Sequence, residues 1–168
     1  MKKIVLLVFL FHFTVAFSQN KFRIKAIESG VGTYKISNRN SVFVVNSTFD
    51  VIGSYKSNLF SFSNTIGLGF GENEESNTDL EAYYEVALLY GREFKLSNKF
   101  RLETHTGLGF ITQNNTTISN EKQSLAIPIK TKLLYYIGKN FALGVNPNVS
   151  FNKTNAIYTL NFLLHINF

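Results

Sequence analysis

The chain has 168 residues, a formal net charge of +6, no cysteine, 17 phenylalanines and 8 tyrosines. The lack of cysteine excludes a disulfide-stabilised domain, and the scattered basic residues argue against a nucleic-acid-binding face. No apolar run long enough for a membrane-spanning helix follows the first 18 residues. The chain therefore reads as one domain that must be stabilised by something other than disulfides or membrane helices.

The N-terminus has the pattern of an export signal. Lys2 and Lys3 form a basic start, residues 4–11 are apolar, and Ala16-Phe17-Ser18 offers a small-x-small cleavage site. The alternative, a transmembrane anchor, would need a longer apolar run and a following charge cluster. The sequence predicts that residues 1–18 are a signal peptide cleaved after Ser18, and that residues 19–168 form the mature domain.

Eight segments of the remaining chain alternate between apolar and polar residues with period two, which is typical of strands with two unlike faces. The last one runs to the C-terminus, with Tyr158, Leu160, Phe162, Leu164, Ile166 and Phe168 on one side. In chain order the segments cover residues 22–33, 41–56, 58–71, 78–95, 99–113, 123–137, 140–152 and 155–168.

The connections between these segments alternate in length. Residues 56–58, 96–98 and 138–140 read as tight turns rich in Ser, Gly and Asn, whereas residues 34–40, 72–77 and 114–122 are longer and polar. Outer-membrane barrels have short periplasmic turns and longer outer loops. With an even strand count, this pattern predicts that both chain termini lie in the periplasm.

The two faces of the segments differ in size and chemistry. In residues 58–71, Phe60, Phe62 and Ile66 oppose Ser61 and Ser63, and aromatic residues recur near both ends of the segments. We expect an all-β fold, an eight-stranded antiparallel up-and-down transmembrane β-barrel with the polar face inside. The alternative is a soluble periplasmic, lipocalin-like ligand-binding barrel, which would have the apolar face inside.

Glycines and prolines interrupt the pattern in a few places. Residues 67–71 read Gly-Leu-Gly-Phe-Gly and resemble a phosphate-binding loop, but no Lys-Ser/Thr follows them and no helix begins there. We expect these glycines, and the similar run 107–110, to make room in a narrow lumen. Pro128 and Pro147 fall inside strands and suggest bulges, and Asn64 falls on the apolar face.

Charged residues of inward parity form the candidate site. Charges enclosed by an apolar shell must pair, so we expect them to plug the barrel, with a proton or ion path as the sharper alternative. If the turn at residues 96–98 centres on Ser97, Glu93 faces Arg101. The predicted lumenal charge network consists of Glu93, Arg101, Glu103, His105, Lys130 and Lys132.

Other chemistry finds little support in the sequence. Beyond the predicted signal peptide only His105 and His165 remain, and their spacing indicates neither a metal site nor a catalytic pair. We expect no enzyme activity and no cofactor.

The sequence resembles small outer-membrane β-barrel proteins of Bacteroidota, of the porin-like and outer-membrane protein X-like type. The resemblance lies in the start ending in Phe17-Ser18-Gln19, the hairpin 91–102, the run 107–110 and the terminal Phe168. The resemblance covers the mature chain and implies a structural or surface-interaction role, with outer-membrane lipid as surroundings and an unknown loop ligand. It also implies that the barrel-assembly machinery recognises the last strand through Leu164, Ile166 and Phe168. A lipid-modifying outer-membrane enzyme stays open as an alternative.

Overall fold

A computed structural model describes residues 22–37, 41–72, 78–115 and 122–168. Its strands are β1 (Arg23–Ile36), β2 (Ser41–Tyr55), β3 (Asn58–Glu72), β4 (Thr78–Lys95), β5 (Phe100–Asn115), β6 (Lys122–Tyr136), β7 (Phe141–Asn152) and β8 (Ala156–Asn167). Each strand pairs antiparallel with its neighbours in sequence, and β1 pairs with β8 to close the barrel. This closed order confirms the predicted eight-stranded antiparallel barrel. Closure also pairs the two strands that would otherwise be exposed edges of the sheet.

The strand limits fall close to the predicted ones. The largest differences are that β1 continues to Ile36, three residues beyond the predicted end, and that β5 continues to Asn115. The predicted signal peptide and much of the three longer connections lie outside the described residues. Within the described part of the chain, no helix is long and apolar enough to span a membrane.

One end of the barrel carries both the short turns and the described chain ends. Residues 56–57, 96–99 and 137–140 connect strands there, and the Phe168 amide donates to the Lys25 carbonyl at 2.9 Å. We call this the short-turn end. The strand ends that flank residues 37–40, 73–77, 116–121 and 153–155 lie at the opposite end, which we call the loop end.

Apolar side chains cover the outside of the barrel. Leu88, Leu108 and Phe162 are 69, 67 and 69% exposed in mid-strand, while the polar residues of opposite parity are buried inside. This arrangement overturns the lipocalin-like alternative, which required an aliphatic lumen. The outer wall also carries aromatic side chains near both ends: Phe22, Phe60, Phe94, Phe100, Tyr135 and Phe168 near the short turns, and Phe70, Tyr84, Phe110, Phe151 and Tyr158 near the loops.

Asn64 lies on the outer wall, as its parity predicts, and its amide is not left without a partner. It donates a hydrogen bond of 2.8 Å to the hydroxyl of Tyr84 on the adjacent strand. A similar bond of 2.7 Å runs from the Tyr90 hydroxyl to Asn58. Each tyrosine thereby satisfies a polar amide on a wall that is otherwise apolar.

The expectation of bulges at the prolines is wrong. The register is the same on both sides of Pro128 and of Pro147, and each proline keeps a direct partner in one neighbouring strand. The reason is that a proline removes one amide donor without inserting a residue. The register shifts occur instead between Ile24 and Ala26 in β1 and between Ser41 and Phe43 in β2.

Candidate functional site

The centre of the lumen holds two lysines and two carboxylates that are almost fully buried; we call Glu28, Asp50, Lys130 and Lys132 the central cluster. The Lys132 ammonium reaches across from β6 and contacts Asp50 Oδ2 at 2.7 Å and also Glu28. Glu28 and Asp50 are direct ladder partners on β1 and β2. Because adjacent carboxylates repel each other, the ammonium group that contacts both of them stabilises this arrangement.

Lys130 extends the central cluster along the lumen. Its ammonium lies 3.2 Å from Asp50 Oδ1 and 2.5 Å from Ser63 Oγ, with Thr48 Oγ1 at 3.5 Å. Asp50 therefore bridges both lysines, one through each carboxylate oxygen. The lysine is 1% exposed, so its donors are satisfied by protein groups rather than by bulk solvent.

A second group of charges closes the lumen at the short-turn end; we call Lys25, Glu93, Arg101 and Glu103 the rim cluster. Lys25 contacts Glu93 and also Glu103 Oε1, the latter at 2.6 Å. Arg101 donates to Glu93 Oε1 at 3.2 Å, and its guanidinium lies 4.3 Å from the ring centroid of Tyr136. The rim cluster thus spans β1, β4 and β5 across the barrel mouth.

The two histidines each bind a carboxylate of a different cluster. His165 Nδ1 lies 2.6 Å from Glu28, and its Nε2 lies 3.1 Å from the Tyr136 hydroxyl. His105 Nε2 lies 3.2 Å from Glu103 Oε2, and its Nδ1 lies 3.1 Å from Ser61 Oγ. Both histidines therefore have structural partners on each ring nitrogen.

Ser61, His105 and Glu103 are connected in the order serine, histidine and carboxylate, as in a hydrolase triad, but with the two histidine ring nitrogens exchanged. All three are at most 2% exposed, and Glu103 is also paired with Lys25. A serine nucleophile has to be reached by its substrate, and this one is enclosed by the barrel wall. Among the described residues, no group of three His, Asp or Glu side chains is placed to hold a metal ion.

Aromatic and aliphatic side chains pack in the lumen near the loop end, beside the buried carboxylates of Glu81 and Glu85. Tyr34 and Tyr83 pack edge to face, with ring centroids 4.9 Å apart. A Cβ at Gly67 would lie 2.0 Å from Tyr83 Cε1, and one at Gly69 would lie 2.6 Å from the Tyr34 hydroxyl. The glycines therefore make room in the lumen, as expected from the sequence, for two tyrosine rings that share a buried cluster with Ile36, Ile111, Ala126 and Ile157.

The structure places all six residues of the predicted lumenal charge network inside the barrel and distributes them between the two clusters and His105. The predicted strand register, in which Glu93 is directly opposite Arg101, is wrong. Glu93 is opposite Glu103, and Arg101 is opposite Lys95. The turn centres on Asn98, one residue later than expected. Glu93 and Arg101 still form an ion pair, but diagonally across the hairpin.

Glu28 and Asp50 belong to the central cluster, but neither is in the lumenal charge network predicted from the sequence. Lys25 and Glu28 have opposite parity, yet both point into the lumen, because the register of β1 shifts between Ile24 and Ala26. Strict alternation from an inward Lys25 would put Glu28 on the outer wall. A carboxylate at an apparently lipid-facing position is the one signal in the sequence that could have indicated the shift.

Several solved structures of small β-barrels have a fold similar to that of this chain. Neisserial surface protein A is similar with a TM-score of 0.66 and 10% identity, covering 88% of this chain and 97% of that one. Ail, the attachment invasion locus protein of Yersinia pestis, has a TM-score of 0.58 and 12% identity, with coverage of 87% and 99%. The N-terminal β-barrel domain of Pseudomonas aeruginosa OprF has a TM-score of 0.55 and 13% identity, with coverage of 88% and 100%.

These likenesses show the fold of small outer-membrane β-barrels, since identities this low carry no further information. No curated protein matches the sequence. One sequence family does, and its profile spans almost the whole barrel. The chain belongs to the family described as Domain of unknown function (DUF2715), which matches residues 25–167.

Proposed function

We propose that the protein is an outer-membrane β-barrel with a lumen plugged by side chains, and that it acts as a structural or surface-interaction protein. The observation that carries this proposal is the combination of an apolar outer wall with a lumen filled by buried ion pairs. In water, this barrel would bear the free-energy cost of burying lysines and carboxylates. It would also expose a large apolar surface of leucine and phenylalanine side chains to solvent. In lipid, the same exposed wall is in its preferred surroundings.

The closed lumen argues for a role at the surface rather than for transport. Charges close the centre and the short-turn end, and the tyrosine pair closes the lumen near the loop end. The proposed contact regions are the three longer connections between strands, at residues 37–40, 73–77 and 116–121. Their ligand is left open, although one barrel of similar fold is described as an attachment invasion locus protein. The proposed partners during biogenesis are outer-membrane lipid and the barrel-assembly machinery.

Membrane fractionation combined with heat-modifiable gel mobility tests the proposal. The protein should appear in the detergent-extracted outer-membrane fraction and migrate differently before and after boiling, because a closed hydrogen-bonded barrel in detergent resists unfolding until heated. Planar bilayers containing the folded protein should show no stepwise ion conductance. Recovery from the soluble periplasm, or steady conductance, would contradict the proposal. The resemblance to Bacteroidota proteins stays a prediction.

A lipid-modifying enzyme is the second candidate, and the Ser61–His105–Glu103 arrangement is the observation in its favour. Its test is acyl hydrolysis or acyl transfer in lipid extracts by the purified protein. Activity lost on His105→Ala and retained on the matched substitution His165→Ala would support it. We favour the structural role because Ser61 is 2% exposed.

A further inference from the structure

Six exposed cationic side chains surround the short-turn end: Arg23, Lys56, Arg92, Lys95, Lys99 and Lys139. We call them the basic collar. No member of the collar forms an ion pair with another residue in the described part of the chain. Glu93, an acidic neighbour at this end, directs its carboxylate to Lys25 and Arg101 instead. The positive charge of the collar is therefore not compensated by the described residues around it.

The collar lies at the same depth as a band of aromatic rings. The Lys56 ammonium is 5.7 Å from the ring centroid of Tyr55, and the Lys99 ammonium is 5.9 Å from that of Tyr135. Tyrosine and phenylalanine rings at a barrel end sit at the membrane interface. Lysines beside them can lay their stems along the rings and hold their ammonium groups among lipid headgroups.

The loop end has a different charge. Lys35, Lys122 and Lys153 are its exposed lysines in the described part of the chain. In the sequence, the connections and strand ends of the loop end contain five acidic residues, Glu72, Glu74, Glu75, Asp79 and Glu121, against four basic ones, Lys35, Arg39, Lys122 and Lys153. An anionic surface is thus attracted to the short-turn end and not to the loop end.

We propose that the basic collar binds the headgroup phosphates of anionic phospholipids and fixes the short-turn end in a phospholipid leaflet. Several cations at headgroup depth can each pair with a lipid phosphate, and the binding energy accumulates over the collar. The inference rests on the proposed membrane location, and it adds a lipid preference and a reason for orientation. Zwitterionic phospholipid, whose headgroup has no net charge, should bind more weakly.

Native mass spectrometry of the purified full chain in mixed micelles tests this. The micelles contain equal amounts of phosphatidylglycerol and phosphatidylcholine with identical acyl chains, and the readout is the ratio of the two lipids retained by the protein. The collar variant is Lys95→Gln/Lys99→Gln/Lys139→Gln. The matched control, Lys35→Gln/Lys122→Gln/Lys153→Gln, removes the same charge from the loop end.

The wild type and the control should retain phosphatidylglycerol preferentially. In the collar variant, the ratio of retained phosphatidylglycerol to phosphatidylcholine should be at least about fivefold lower, because one lysine near an anionic surface contributes about 1 kcal/mol. Equal losses in both variants, or no preference in the wild type, would overturn the proposal. A second sample contains lipopolysaccharide as well as phosphatidylglycerol, and retention of lipopolysaccharide in place of phosphatidylglycerol there would also overturn the proposal. Heat-modifiable mobility of each sample separates these outcomes from failure of the barrel itself.

Discussion

Glu28 and Asp50 are direct partners in the β1–β2 ladder, and both carboxylates contact the ammonium group of Lys132. The arrangement joins β1, β2 and β6 across the lumen, so it depends on the barrel being closed. Removing the lysine would leave two adjacent buried carboxylates without their shared cation.

Lys132→Met should therefore destabilise the folded barrel by roughly 3–5 kcal/mol, the usual cost of breaking a buried ion pair from one side. Urea unfolding of the protein in lipid vesicles, followed by gel mobility, measures the difference. The exposed residue Lys153, in the connection at the loop end, provides the control, because Lys153→Met should change stability by no more than about 0.5 kcal/mol. Adding Glu28→Gln to Lys132→Met should recover part of the loss, because one of the two adjacent carboxylates is then neutral and Asp50 keeps Lys130 as its partner. Equal stability of the two single variants would contradict the assigned role.

Gly67→Ala should destabilise the barrel by about 1–3 kcal/mol, because the added methyl group would meet the ring of Tyr83 in a packed lumen. Gly138→Ala is the matched control, since a Cβ there has nothing within 4 Å. Combined with Tyr83→Ala, the cost of Gly67→Ala should shrink, and a double-mutant cycle in the same unfolding assay measures that coupling. Strictly additive effects would show that the ring does not limit this position.

Phe162→Arg places a charge in the middle of the outer wall and should cost about 2–4 kcal/mol in lipid vesicles. Ile137→Arg, at the short-turn end of the wall, should cost about 0–1 kcal/mol because the side chain can reach the interface. Both residues are well exposed, 69 and 59%, so the comparison isolates depth in the membrane. Similar costs at both positions would argue against a bilayer around this wall.

The outward row at the end of β8 provides a test of assembly. Leu164, Ile166 and Phe168 are all exposed on the outer wall, 41, 42 and 72%. If the assembly machinery reads this row, Ile166→Ala/Phe168→Ala should lower the heat-modifiable fraction in cells several-fold. The control Leu143→Ala/Phe151→Ala removes similar outward side chains from β7 and should have little effect. Comparable losses from both variants would indicate a general stability effect instead.

The absence of cysteine makes orientation measurable by labelling. We expect Ser76→Cys, in the connection 73–77, to react with a membrane-impermeant maleimide on intact cells. Lys139→Cys, in a short turn, should react only after the outer membrane is opened, since both termini and the short turns are predicted to face the periplasm. The reverse labelling pattern would invert the predicted orientation while leaving the barrel fold intact.

The sequence alone determined the number of strands, their approximate limits and the contents of the two faces. Period-two alternation is a local property of a strand, so the runs around Phe62 and Phe162 are readable without any knowledge of partners. The decision that polar residues lie inside also followed from local features, namely the size and aromatic content of the apolar face. The alternation has to be kept along each strand, because a register slip by one residue would turn every side chain to the wrong face of the barrel wall.

Only the tertiary structure decided which charges meet. Glu28 joins Lys132 through a register shift near Lys25, and Glu93 faces Glu103 because the turn centres on Asn98 rather than Ser97. Lys132 and Asp50 are 82 residues apart and meet across the lumen, not along one hairpin. A strand pattern fixes which way a side chain points, but bulges, turn centres and barrel closure fix what it reaches, and those depend on the whole ladder.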